Sequence, residues 1–111
     1  MIEDDKVVII RLANDVIEKL PRGRGYLADE MQRAALSIVL NIAEGCGRFA
    51  RPEKAHFYLI ARGSAMECAG AFDVALSRGL VSVAAYRHGR GMLVRVVQML
   101  TRLARRMQQA P

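Results

Sequence analysis

Three breaks rich in glycine or proline divide this chain: Pro21-Arg-Gly-Arg-Gly25, Gly45-Cys-Gly47 followed by Pro52, and Gly79. They separate four stretches whose apolar residues recur at helical spacing, so the chain is predicted to form helices over about 2–20, 27–45, 53–78 and 83–108. Val7, Ile10, Ala13, Ile17 and Leu20 carry the period in the first stretch; Asp4 and Asp5 suit its positive end, and Pro21 closes it. Gly45 reads as a left-handed helix end, a conformation that residues with a β-carbon resist. Pro52 opens the third helix, where a missing N–H costs nothing, and Gly79 ends it. The fourth starts at Ser82 or Val83, with Gly89 and Gly91 expected to weaken its first turns by about 1 kcal/mol each relative to alanine. Four helices with short connections predict an all-α, up-down-up-down antiparallel bundle. The 111 residues suit one domain, and 52% apolar but only 5% aromatic residues mean a core of Leu, Ile, Val, Ala and Met, which favours helices over a sandwich.

The second helix is apolar on two sides. Met31, Ala34, Ala35, Ile38 and Ile42 form one stripe, while Leu36, Leu40 and Ala43 form another, with Val39 bridging them. A single bundle buries one stripe per helix, and large side chains left bare forgo about 1.5–3 kcal/mol each, so Leu36, Val39, Leu40 and Ala43 read as a contact between subunits. The alternative is a deep helix covered wholly by its own chain. The polar residues of this helix are confined to a seam of Arg33, Ser37, Asn41, Glu44 and Arg48, whose i,i+3 and i,i+4 spacing lets them meet. A network that fixes helix register and a ligand site are both compatible with that seam. Small residues along the third helix (Ala61, Gly63, Ser64, Ala65, Ala69, Gly70, Ala71) predict close helix–helix approach.

Charge is uneven. Through Asp73 there are ten Lys/Arg against eleven Asp/Glu; beyond it lie seven arginines and no acid, so the net +6 belongs to the last third. On the fourth helix Met92, Leu93, Val96, Val97, Leu100, Leu103, Ala104 and Met107 share one face, with His88, Arg95, Arg102 and Arg106 opposite, flanked by Arg87 and Arg105. A solvated face is the plain reading, but ordinary surface helices mix signs. The unbalanced stripe instead predicts RNA or DNA binding through backbone phosphates, with Arg87, Arg90, Arg95, Arg102, Arg105 and Arg106 as contacts and little sequence information. Tyr86 is the only aromatic residue in this segment, which argues against reading single-strand bases. The competing expectation is a scaffold that docks a protein partner.

No catalytic, cofactor or metal site is expected. Glu53-Lys-Ala-His56 has the Glu-x-x-His spacing of di-iron bundles, but the second pair is missing, since His88 has no acid nearby in sequence. Gly45-Cys-Gly-Arg-Phe-Ala50 imitates a dinucleotide fingerprint after a helix rather than a strand. Ser37 and Ser64 have no His–Asp partners, and Cys46 has no histidine to activate it. Cys46 and Cys68 lack metal-type spacing and read as reduced thiols of a cytoplasmic protein. No apolar run approaches the ~18 residues of a membrane span, and Glu3-Asp4-Asp5 is the wrong charge for a signal peptide.

Arg33-Ala34-Ala35, Ser37-Ile38, Asn41-Ile42-Ala43-Glu44-Gly45, Gly47-Arg48, Ile60-Ala61-Arg62-Gly63-Ser64 and Glu67, in that order and at those separations, resemble the four-helix-bundle proteins encoded in bacterial 23S rRNA intervening sequences. That resemblance implies a ring-shaped homo-oligomer, typically a pentamer, with no established activity. Proteins of similar fold include the accessory variability proteins of diversity-generating retroelements, basic pentamers that bind nucleic acid and work with a reverse transcriptase; such a polymerase is therefore one expected partner. Family members commonly have proline after the Ser-Ile pair, where this chain has Val39, so helix two is expected to be straighter and ring size is open.

Overall fold

The computed structural model describes residues 5–19 and 25–109, all of it helix and connection. The helices are α1 (Asp5–Lys19), α2 (Tyr26–Cys46), α3 (Arg51–Ser77) and α4 (Val83–Gln108). The expected start at residue 2, Asp4, Leu20, residues 21–24 of the first turn and the side chain of Ile17 lie outside the described residues. α3 packs against α2 and α4, and α1 packs against the same two helices, so each helix has two neighbours around a common core.

Local chemistry fixes the ends. Asp5, Asp29 and Glu53 stand in the first turns of α1, α2 and α3, facing the positive ends of the helix dipoles. The Ser82 hydroxyl accepts from the Ala85 N–H at 3.1 Å and caps α4. Gly79, at φ 69°, ends α3: its N–H donates to Leu76 O and that of Leu80 to Ala75 O, the paired bonds of a Schellman stop. Arg51 and Lys54, in the first turn of α3, serve both neighbours. Arg51 donates to the last-turn carbonyls of α4 at Arg106 and Met107, and Lys54 Nζ donates to Gly45 O and Cys46 O at the end of α2, each at 3.2 Å. Cations at these negative ends satisfy carbonyls that have no intrahelical partner.

Gly45 departs from expectation. It is helical, and positive φ among the described glycines belongs to Gly25 and Gly79. A β-carbon at Gly45 would lie 2.5 Å from Cε1 of the buried Tyr58 ring. Gly89 does the same for α4: a β-carbon there would lie 2.7 Å from Cζ of Phe72. Gly89 is therefore also a recess. The two rings of α3 thus each enter a glycine notch on a neighbouring helix, Tyr58 on α2 and Phe72 on α4. Around and between them Ala55, Ala61, Ala65, Cys68, Ala71 and Ala75 are buried, so α3 approaches both neighbours closely. Gly63 and Gly70, grouped with these small residues, face open space instead.

The rest of the core follows the period. Ile9, Val16, Met31, Ile38, Ile42, Leu93, Val96 and Leu100 are fully buried in one cluster. Val97 and Met107, expected inside α4, are half-buried, and Met99 joins the buried face. α2 continues without a break through Val39.

Candidate nucleic-acid interface and polar seam

Burying Met92, Leu93, Val96, Leu100, Leu103 and Ala104 turns the opposite side of α4 to solvent. Arg87, Arg95, Arg102 and Arg105 are exposed on that side and meet no carboxylate among the described residues. Arg90 and Arg106 lie on the flanks and differ. Arg90 Nε donates to Asp73 Oδ1 at 3.0 Å across the α3–α4 contact, and Arg106 pairs with Asp5 of α1 at 2.5 Å. Both were expected with the free stripe; folding brings them acids from 17 and 101 residues away, which no local charge count could pair. The stripe that remains spans roughly 27 Å from Arg87 to Arg105 at 1.5 Å per residue.

Asp73 also accepts from the Tyr86 hydroxyl at 2.6 Å. That bond, then Arg90, holds the Asp73 carboxyl below its usual range, and the same carboxylate raises the Tyr86 phenol above its own. The cluster closes one end of a groove of about 320 Å³ between α3 and α4, whose walls include Met66, Gly70, Leu93 and Val94. On the same pair of helices Arg62 Nη1 donates to the Thr101 hydroxyl at 3.3 Å.

The α2 seam meets α3. The Ser37 and Ser64 hydroxyls bond at 2.8 Å, and Asn41 Nδ2 donates to the Ser37 carbonyl at 2.9 Å and its hydroxyl at 3.1 Å. Arg33 bridges Glu30 of its own helix and Glu67 of α3. Arg33 lowers the pKa of Glu30, while the adjacent Glu30 carboxylate, followed by burial, raises that of Glu67. Glu44 and Arg48 form the expected i,i+4 pair at 3.1 Å, and the Arg48 guanidinium also lies 4.8 Å from the Phe57 ring centroid. No buried side-chain nitrogen or oxygen lacks a partner among the described residues. Glu30 and Phe57 were not singled out from the sequence; Glu30 stands at i,i+3 from Arg33 on its own helix, within reach of spacing alone, whereas the Phe57–Arg48 contact comes only with the fold.

On the outer side of α2, Leu36 and Leu40 are 48% and 55% exposed, and Ala43 is exposed beside them. Val39, placed with that stripe, packs partly against its own core. Of the cysteines, Cys46 is exposed and Cys68 buried, both as free thiols; burial, then the Glu67 charge, pushes Cys68 up to about 12. His56 is exposed beside Phe57, and Glu53 lies 3.9 Å from Arg48. No cluster of three or more potential metal ligands occurs among the described residues, nor is any helix there long and apolar enough to cross a membrane.

The family model of the 23S rRNA-intervening sequence proteins matches residues 8–102. The chain belongs to that family. A crystal structure of a protein of unknown function from the S23 ribosomal protein family of Bacteroides thetaiotaomicron VPI-5482 superimposes with a TM-score of 0.81, covering 91% of this chain and 98% of that one. At 15% identity this likeness carries the four-helix fold of the 23S rRNA-intervening sequence family and nothing of its chemistry. The comparison with curated proteins gives no match.

Proposed function

We propose that this member of the 23S rRNA-intervening sequence family is a non-enzymatic, cytoplasmic homo-oligomer that binds RNA or DNA through α4 with little sequence preference. The observation carrying this reading is the row Arg87, Arg95, Arg102 and Arg105, exposed on one face without carboxylate partners among the described residues. Cations fixed along a helix and left uncompensated attract a polyanion and release its counterions. The pairs Arg33–Glu67 and Ser37–Ser64 support an antiparallel α2–α3 arrangement, and Arg62–Thr101 with Asp73–Arg90 support the same for α3–α4. The bare Leu36–Leu40 stripe favours several copies, arranged as a ring and on family grounds a pentamer, in which weak arginine contacts multiply through effective concentration.

Filter binding with RNA and with duplex DNA across a salt series tests this reading. Binding at about 50 mM salt that weakens steeply as salt rises is expected, and replacing Arg95 and Arg102 by glutamine should reduce the slope by about one per lost phosphate contact. No binding at low salt ends the proposal. The exposed Leu36 and Leu40 favour a second reading, a scaffold docking a protein such as a reverse transcriptase; a partner retained on the chain after nuclease treatment would select it.

A further inference from the structure

The connection between α2 and α3 places an aromatic ring where no packing requires one. Phe49 is 100% exposed. Two residues later Arg51 donates to the carbonyls of Arg106 and Met107, which brings the last turn of α4 to this loop. Two residues of chain span at most about 7 Å and the Arg51 side chain about as much again, so Phe49 lies at the same end of the bundle as the last turn of α4. The acids at this end are engaged: Glu44 and Glu53 lie against Arg48, and Asp5 against Arg106. Arg102 and Arg105 meet none among the described residues. A ring open to solvent at the end of the bundle that also carries these uncompensated cations supplies the two parts of a single-strand platform, a face for a base and charge for its phosphates. Inside a duplex the bases are already stacked on one another, which leaves only its end pairs with a face for the ring.

We infer that Phe49 is a stacking platform for an unpaired base of a single-stranded nucleic acid whose phosphates run along Arg102 and Arg105. This rests on the reading of α4 as a nucleic-acid surface and adds to it a preference for unpaired strands. It also revises the expectation, drawn from Tyr86 being the only aromatic residue of the basic segment, that bases are not engaged: the fold supplies the ring from another part of the chain.

The test compares a labelled oligothymidine and oligouridine with a duplex of the same length by fluorescence anisotropy. Phe49→Ala should weaken single-strand binding by about 5- to 100-fold and leave duplex binding unchanged, whereas Phe49→Tyr should retain it. Because the chain contains no tryptophan, Phe49→Trp supplies a single reporter whose emission should be quenched by the single strand and not by the duplex. Unchanged single-strand affinity in Phe49→Ala, while replacing Arg102 and Arg105 by glutamine weakens both forms, overturns the platform and leaves the α4 reading intact. No binding of either form by the unsubstituted protein overturns both. A change of sedimented mass in Phe49→Ala places the ring in a subunit contact and also overturns the platform.

Discussion

Gly89 and Gly91 stand two residues apart on α4 and meet opposite surroundings. A β-carbon at Gly89 would press on the Phe72 ring at 2.7 Å, while one at Gly91 would meet nothing within 4 Å. Phe72 is fully buried, so the ring must shift within the core to admit a β-carbon at Gly89. Gly89→Ala should therefore destabilise by about 1–3 kcal/mol through overpacking. Gly91→Ala should stabilise by about 0.5–1 kcal/mol, since it adds only helix propensity at an exposed site. Urea unfolding of the two variants at equal protein concentration checks the signs. Gly45→Ala belongs with Gly89, because the Tyr58 ring leaves it a contact of 2.5 Å. From the sequence Gly45 reads as a helix stop and Gly89 as a weak point of α4, whereas in the fold each leaves room for a ring of α3. A glycine that ends a helix and one that admits a neighbour's ring look alike until the neighbour is known, and Tyr58 and Phe72 are reached only through the fold. Gly79 was legible because its partners, Ala75 and Leu76, are local.

The contact between α3 and the first turns of α4 is held by Asp73, which accepts from both Tyr86 and Arg90. Its pH behaviour follows from the two shifts. Asp73 titrates below 3.8, so its contribution is present above that value and fades as pH falls through the lowered folded pKa. Tyr86 titrates above 10.0, so its contribution is present below that value and fades as pH rises through the raised folded pKa. The contact is thus intact across the whole range between. Asp73→Asn should bring the Tyr86 pKa back down toward its ordinary value, since the carboxylate that raised it is gone; the Tyr86 ring resonances followed by NMR through alkaline pH would show this, and an unchanged titration would refute the assignment. Helix number and most of their ends were legible from apolar spacing and breaks, which are local properties. Which arginines remain free was not, because an ion pair depends on the facing helix. Arg90 and Arg106 belonged to an unbalanced segment in the sequence and to balanced contacts in the fold. The surface pairs themselves are worth little, about 0–1 kcal/mol each; their consequence is to narrow the free stripe to its centre.

At the scale of the whole molecule, one chain leaves two unlike surfaces in solvent, the leucine stripe of α2 and the arginine row of α4. A second apolar stripe was visible in the sequence, and the fold leaves Leu36 and Leu40 half exposed, while only Val39 is drawn toward the chain's own core. If copies cover that stripe, replacing Leu36 and Leu40 together by glutamate disperses the assembly without disturbing the bundle, because neither side chain fills the core. Sedimentation equilibrium should then give the mass of a single chain where the unsubstituted protein gives a multiple, with helical circular dichroism unchanged at saturating concentration. Nucleic-acid affinity should fall with the mass, by about 10²–10⁴-fold when several rows act together, although every arginine remains in place. The salt slope per bound chain should stay the same, since each chain keeps its own phosphate contacts. A variant that is monomeric yet binds as tightly as the assembly would show that one arginine row suffices. An unsubstituted protein already sedimenting as one chain at micromolar concentration would refute the oligomer and leave Leu36 and Leu40 to the protein-docking reading.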